Sequence, residues 1–209
     1  LARMTTTSQS RREAGVRGPV TVVATLGITQ IIAWGSTYYL LAVLAVPIAR
    51  DTGWSEAAVV GGLSWSMVVA SLAAPRVGRT IDRHGGRWVL AGSSIVFSAG
   101  LVLFGLSPNI LVYYLAWTIL GGAMAAGLYD AAFSTLGRYY GIGARPAITG
   151  LTLIAGFAST VAWPALTWLE HRFGWRDTCL LLAVLHFGLG TALHLWLPSA
   201  RPTPPSEAA

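Results

Sequence analysis

The sequence predicts an all-α membrane protein: a six-transmembrane-helix bundle made of two inverted three-helix repeats. Three observations lead to this reading. Six apolar runs of about 20 residues or longer succeed one another, and about 20 helical residues cross a hydrocarbon core of roughly 30 Å. Of the 209 residues, 54% are hydrophobic and only 11% charged, against roughly 25% charged in soluble domains, so a water-soluble surface is out of reach. Lastly, residues recur in one register at an offset of 89. Ala58 matches Ala147, Gly61 matches Gly150, Pro75 matches Pro164, Arg83 matches Arg172, Gly85 matches Gly174 and Arg87 matches Arg176. Three helices separate the copies, so they lie on opposite sides of the bilayer and the repeat is inverted.

Taken in order, residues 1–18 are polar and arginine-rich and are expected to be a disordered cytoplasmic tail. Residues 19–197 form the bundle. Its runs are Pro19–Ala49, Trp54–Ala74, Trp88–Leu106, Ile110–Leu136, Ala147–Leu169 and Thr178–Leu197. The first is too long for the apolar core of a cleavable signal peptide. Gly121, Gly122, Ala125, Ala126 and Gly127 in run four, with Gly156 and Thr160 in run five, are small enough to let helices approach closely. Pro164 lies inside run five and is expected to kink it. The proline-rich residues 198–209 are expected to be a disordered cytoplasmic tail or the start of a central loop. Met4 is a plausible start, with the residues before it an artefact or the end of something upstream.

The charge sets the orientation. All basic residues other than histidine are arginine. Arg3, Arg11, Arg12, Arg17, Arg76, Arg79, Arg83, Arg87, Arg138, Arg145 and Arg201 fall on one side, whereas Arg50, Arg172 and Arg176 fall on the other. Arginine-rich links stay inside, which puts both termini in the cytoplasm and the protein in the plasma (inner) membrane. The same scatter argues against a nucleic-acid partner, which would need one continuous basic face. The bilayer is the expected partner.

Chemistry-bearing clusters are few. Cys179 stands alone, and His186 and His194 have no second ligand nearby, so no metal and no cofactor are expected. Neither a nucleophile elbow, a phosphate-cradling loop nor a zinc-binding His-Glu-x-x-His occurs, and Ser93-Ser94 lacks a glycine framework. The chain is not expected to be an enzyme.

The densest charge is the link Gly78-Arg79-Thr80-Ile81-Asp82-Arg83-His84-Gly85-Gly86-Arg87. Two helices emerging on one face need a tight charged turn there, and Gly78 and Gly85 are candidates for it. The link resembles the loop signature of the major facilitator superfamily between its second and third helices. Gly78, Asp82, Arg83, Gly85 and Arg87 fit that pattern, while Gly86 replaces a usual basic residue and Thr80 a usual leucine. Gly137-Arg138-Tyr139-Tyr140 with Arg145-Pro146-Ala147-Ile148-Thr149-Gly150-Leu151, and also Arg50–Ser55 and Gly174-Trp175-Arg176, are similar to links of the monocarboxylate-porter-like subgroup. The resemblance covers about residues 20–197. It implies half of the facilitator fold, with Asp82, Arg83 and Arg87 in a gating latch. It also implies proton- or ion-linked movement of a small organic solute, often an organic anion. Two departures bear on the solute: run one lacks a basic residue, and the superfamily's helix-four arginine falls near Trp117.

Asp130 is the sole acid deep in an apolar run, and such a group faces a cavity or a charged partner. Two readings stand: a proton or solute site, or a brace paired with Arg138 or the arginines of the 78–87 link. Gln30, Trp34, Thr37 and Tyr38 form a polar and aromatic stripe on run one that is a candidate solute path. The function expected is alternating-access secondary transport, this chain being one half or a truncated product. Its missing second half, or a homodimer partner, would supply the other wall. The alternative is a non-transporting membrane subunit that stabilises or regulates a partner protein.

Overall fold

A computed structural model describes residues 18–199. Within these residues the regular structure is helical throughout, and no strand occurs. The first apolar stretch comprises α1 (Pro19–Gly35) and α2 (Leu40–Thr52), 34 residues in all. Pro19 opens it at a position whose missing N–H costs nothing. Gly53, at φ 73°, closes it with its N–H on the Ala49 carbonyl at 2.9 Å. Ser55 then caps α3 (Glu56–His84), its Oγ accepting from the Ala58 N–H at 3.2 Å, with Glu56 in the positive first turn.

Helix α3 corrects the sequence reading of the charged link. The expected turn over Gly78–Arg87 is instead 29-residue helix as far as His84, and Gly78 lies within it. Only Gly85, at φ 84°, turns the chain, and α4 (Gly86–Gly105) starts at the next residue. A helix leaving the lipid already satisfies its own backbone, so the charged residues extend it instead of breaking it. Thr80 turns its hydroxyl back to the Arg76 carbonyl of the same helix at 2.8 Å.

The Asn109 Oδ1 caps α5 (Ile110–Gly127), accepting from Leu111 and Val112 at 3.1 and 3.0 Å. After a break at Leu128 come α6 (Tyr129–Tyr140) and a 3-10 turn over Gly141–Gly143 whose Ile142 is fully exposed. Helices α7 (Ala144–Ala155) and α8 (Ala158–Leu185) follow, then a π-type turn at His186–Gly190 and α9 (Thr191–Trp196). Pro164 is accommodated in helical backbone. The departure from helical angles inside α8 is not there but ten residues on, at Gly174, with φ 79° and ψ 168°.

By length and apolarity four helical stretches can cross a membrane: Pro19–Thr52, Glu56–His84, Gly86–Gly105 and Ile110–Trp196. Two apolar clusters hold them together. One gathers Phe97, Phe104, Tyr113 and Trp117 with Leu40 and Leu44. The other joins Leu26, Ile81, Leu90, Leu136 and Leu151 nearer the arginine-rich end. Close helix contact is carried by Gly121, where an added Cβ would lie 2.5 Å from the Ser66 carbonyl oxygen, and by Gly127, where it would lie 2.6 Å from Ser93 Oγ. Gly122 faces open space and Gly156 meets only its own helix, so neither acts as the expected contact. The expected disordered tails lie outside the described residues except at their inner ends. There Leu197 is buried and the Pro198 carbonyl accepts from Tyr139 Oη at 2.6 Å.

Candidate functional site

The site grows from the break between α5 and α6. Leu128 adopts an extended backbone, φ −88° and ψ −165°, between two helices. A broken helix strands backbone carbonyls, and in an apolar surrounding each needs another donor. The Gly127 carbonyl finds one in α1: Gln30 Nε2 donates to it at 2.7 Å. Gln30 is wholly buried, and its Oε1 accepts from Trp34 Nε1 at 3.1 Å. One relay, Trp34 to Gln30 to Gly127, thus fixes both the break and the Trp34 indole.

The indole forms one wall of a cavity of about 330 Å³ between α1, α3, α5 and α6. Tyr38 and Tyr129 flank Trp34 with ring centroids at 5.2 and 5.1 Å. Tyr38 Oη donates to the Met67 sulfur at 3.7 Å, and Met67, Ser71 and Met124 line the same space. Asp130 completes the lining from the first turn of α6, where the helix dipole favours its charge. The residue is exposed and, among the described residues, its carboxylate has no hydrogen bond or ion pair.

The sequence-predicted residues therefore separate. Trp34, Tyr38 and Asp130 line the cavity, and Gln30 sits behind it as a support. Thr37 does not join them: it is fully buried and donates to the Ala33 carbonyl of its own helix at 2.6 Å. The bracing alternative for Asp130 is not what the structure forms. Arg138 turns instead to the Asp82 backbone carbonyl at the end of α3. On that same end the Asp82 and Arg83 side chains are exposed, and Arg87 lies over the Trp88 ring at 5.3 Å.

Two clusters escaped sequence reasoning. At the end away from the arginine-rich links, Arg176 Nη1 donates to the Gly105 and Ser107 carbonyls at 3.0 and 3.1 Å. Its Nη2 meets Asp51 Oδ2 at 3.4 Å, and Trp175 Nε1 donates to the same oxygen at 3.1 Å. The matched Arg87 and Arg176, and the resemblance of Arg50–Ser55 and Gly174-Trp175-Arg176 to links of one subgroup, marked these links without pairing them. Within the bundle, Ser36 Oγ pairs with His186 Nε2 at 2.7 Å, while His194 bridges Ser94 Oγ at 2.9 Å and Thr29 Oγ1 at 3.0 Å. The hydroxyls lie about 100 to 165 positions away in sequence, so no local pattern could mark these pairs.

Comparison with known sequences decides the family. The profile of the Major Facilitator Superfamily matches residues 26–209. This chain belongs to the Major Facilitator Superfamily. Among curated relatives of this facilitator chain, human monocarboxylate transporter 11 is 32% identical over 162 residues, 75% of this chain and 33% of that protein. Rat monocarboxylate transporter 3 is 30% identical over 162 residues, 76% of this chain and 31% of that protein. The multidrug resistance protein B homolog of Mycobacterium tuberculosis (strain ATCC 25618 / H37Rv) is 28% identical over 171 residues, 79% of this chain and 29% of that protein. The facilitator chain thus spans about a third of the length of these curated relatives. It is a membrane protein by family and by its apolar helices. At the position read as the family's helix-four arginine, Trp117 is fully buried against Phe104 and Tyr113.

Proposed function

We propose that this chain is the N-terminal half of a secondary transporter that moves a small organic solute by alternating access, coupled to a proton or another ion. The observation that carries the reading is the partly open cavity between α1, α3, α5 and α6. A facilitator's solute site lies between two halves, and this chain matches about a third of its relatives' length. Relatives named as monocarboxylate transporters do not favour a non-transporting subunit.

Length supports six membrane crossings within this half. The stretch Ile110–Trp196 has 87 residues, about 130 Å if straight, against a hydrocarbon core of roughly 30 Å. Turns at Gly141 and Gly174 divide it into three crossings. The inverted repeat gains support from backbone angles. Gly85 (φ 84°, ψ 159°) and Gly174 (φ 79°, ψ 168°), matched in sequence, each link two helices in nearly the same conformation. With the arginine-rich links inside, both termini are cytoplasmic and the membrane is the plasma (inner) membrane. Asp82, Arg83 and Arg87 then face the cytoplasmic seam as a latch toward the second half.

The test is the natural product itself. In its own membranes, an antibody against the N-terminal tail should reveal a band near twice the 22.1 kDa of this chain. That product, purified into proteoliposomes, should accumulate members of a labelled panel of organic acids and amines when a pH gradient is imposed. A band at the single mass, or no gradient-driven accumulation of any panel member, overturns the reading.

A further inference from the structure

We propose that the cavity beside the α5–α6 break is a binding site for a lipophilic organic cation, such as an aryl-substituted ammonium or phosphonium, and not for an organic anion. The proposal names the solute class of the site on which the transport reading rests.

Three features of the cavity argue for positive charge. Its aromatic wall consists of Trp34, Tyr38 and Tyr129, with Tyr129 also stacked on Phe133 at 5.1 Å and 13°. Ring faces carry negative potential and attract a cation within about 6 Å of the centroid, Trp most strongly. The Asp130 carboxylate lies on the same lining, exposed and without a hydrogen bond or ion pair among the described residues. A negative group left unmatched in an apolar setting favours an occupant that supplies the opposite charge. Finally, among the described residues no Arg or His lines this wall of the cavity and the chain contains no lysine, so this wall offers an organic anion only the Asp130 charge.

Shape and texture fit the same class. Met67 and Met124 offer soft, adaptable contacts, and Ala70, Ala74 and Ala125 leave the floor smooth for apolar substituents. About 330 Å³ on one wall accommodates a multi-ring solute whose other face remains for a second wall. Trp34 is pre-positioned for this role, since its N–H is already committed to Gln30 and its ring face is left for contact.

The experiment is direct binding to the purified longer natural product in detergent, using radiolabelled tetraphenylphosphonium separated from free ligand on spin columns. Saturable binding is expected, displaced by unlabelled tetraphenylphosphonium and not by benzoate or by tetraphenylborate, its counterpart of the same shape and opposite charge. Asp130→Asn should weaken affinity about three- to five-fold, whereas Asp130→Glu stays within about two-fold. Trp34→Leu should weaken it about five-fold or more. Asp130 is exposed, so its substitution leaves the packing intact, and unchanged helical circular dichroism confirms the fold. Absence of saturable binding, equal displacement by tetraphenylborate, or an unaltered affinity in Asp130→Asn overturns the proposal. The two readings fail separately. Gradient-driven uptake of acids alone by the longer product would refute the cation site and leave transport standing. Cation binding without uptake of any solute would do the reverse.

Discussion

At the scale of single residues, Gln30 does more than its place in the sequence suggests. It is a buried amide with both ends committed, Nε2 to the Gly127 carbonyl at 2.7 Å and Oε1 to Trp34 at 3.1 Å. Gln30→Leu removes the donor that the broken helix requires and frees the indole. A buried polar group left unpaired costs about 1–3 kcal/mol. The variant should therefore melt at lower temperature in detergent by circular dichroism, and its tryptophan emission should shift as Trp34 loses its partner. An unchanged melting curve would show that the carbonyl finds another donor. That Gln30, Trp34 and Tyr38 belonged together was legible because they recur every four residues in a largely apolar run. Thr37 lies in that run too, but a threonine can bond back to its own helix, and only the fold shows that it donates to Ala33. The opposite error arose at Asp130. Of the arginines offered for its bracing alternative, Arg138 was suggested by nearness along the chain, yet it is taken by the carbonyl end of α3.

At the scale of elements, the apolar runs read well because hydrophobic length is a one-dimensional signal, and their ends read poorly because polarity was equated with turns. Helix α3 continues to His84, so Asp82 and Arg83 are displayed on the last turn of a rigid rod, with Gly85 alone reversing the chain. A charged pair so mounted moves with its helix. In the complete transporter, Asp82→Ala is therefore expected to slow turnover at least about ten-fold while changing solute affinity less than about two-fold. The check is a comparison of uptake rate in proteoliposomes with equilibrium binding. Equal losses in both would assign Asp82 to the solute site, and no loss in either would remove the latch. The break at Leu128 was invisible in the sequence for a different reason. Gly127-Leu128-Tyr129 carries no proline, and the helix ends there because Gly127 packs against Ser93 and Phe97 and Gln30 stands ready to satisfy its carbonyl. Both are contacts across the fold.

At the scale of the whole molecule, the two ends of the bundle are fastened differently. Asp51, Arg176 and the Gly105 and Ser107 carbonyls tie three links together at one end. Arg138 makes the corresponding single tie from α6 to α3 at the other. Membrane class and charge asymmetry were legible from composition because they are sums over the chain. These ties were not, since each depends on where distant links meet. The turn at Gly141–Gly143 is an exposed seam, its Ile142 fully exposed between two glycines and Arg145 exposed beside it. An exposed tip that makes few contacts tolerates a cut. Residues 1–141 and 143–209, translated as two separate polypeptides, are therefore expected to find each other through the α1–α7 and α4–α8 contacts. A tag on the first should then co-purify the second at equal stoichiometry. Failure to assemble would mean that covalent continuity, and not packing, brings α7 and α8 to their places. Success would make the chain a kit of parts, in which labels, probes or a foreign domain enter at Ile142 without touching the cavity.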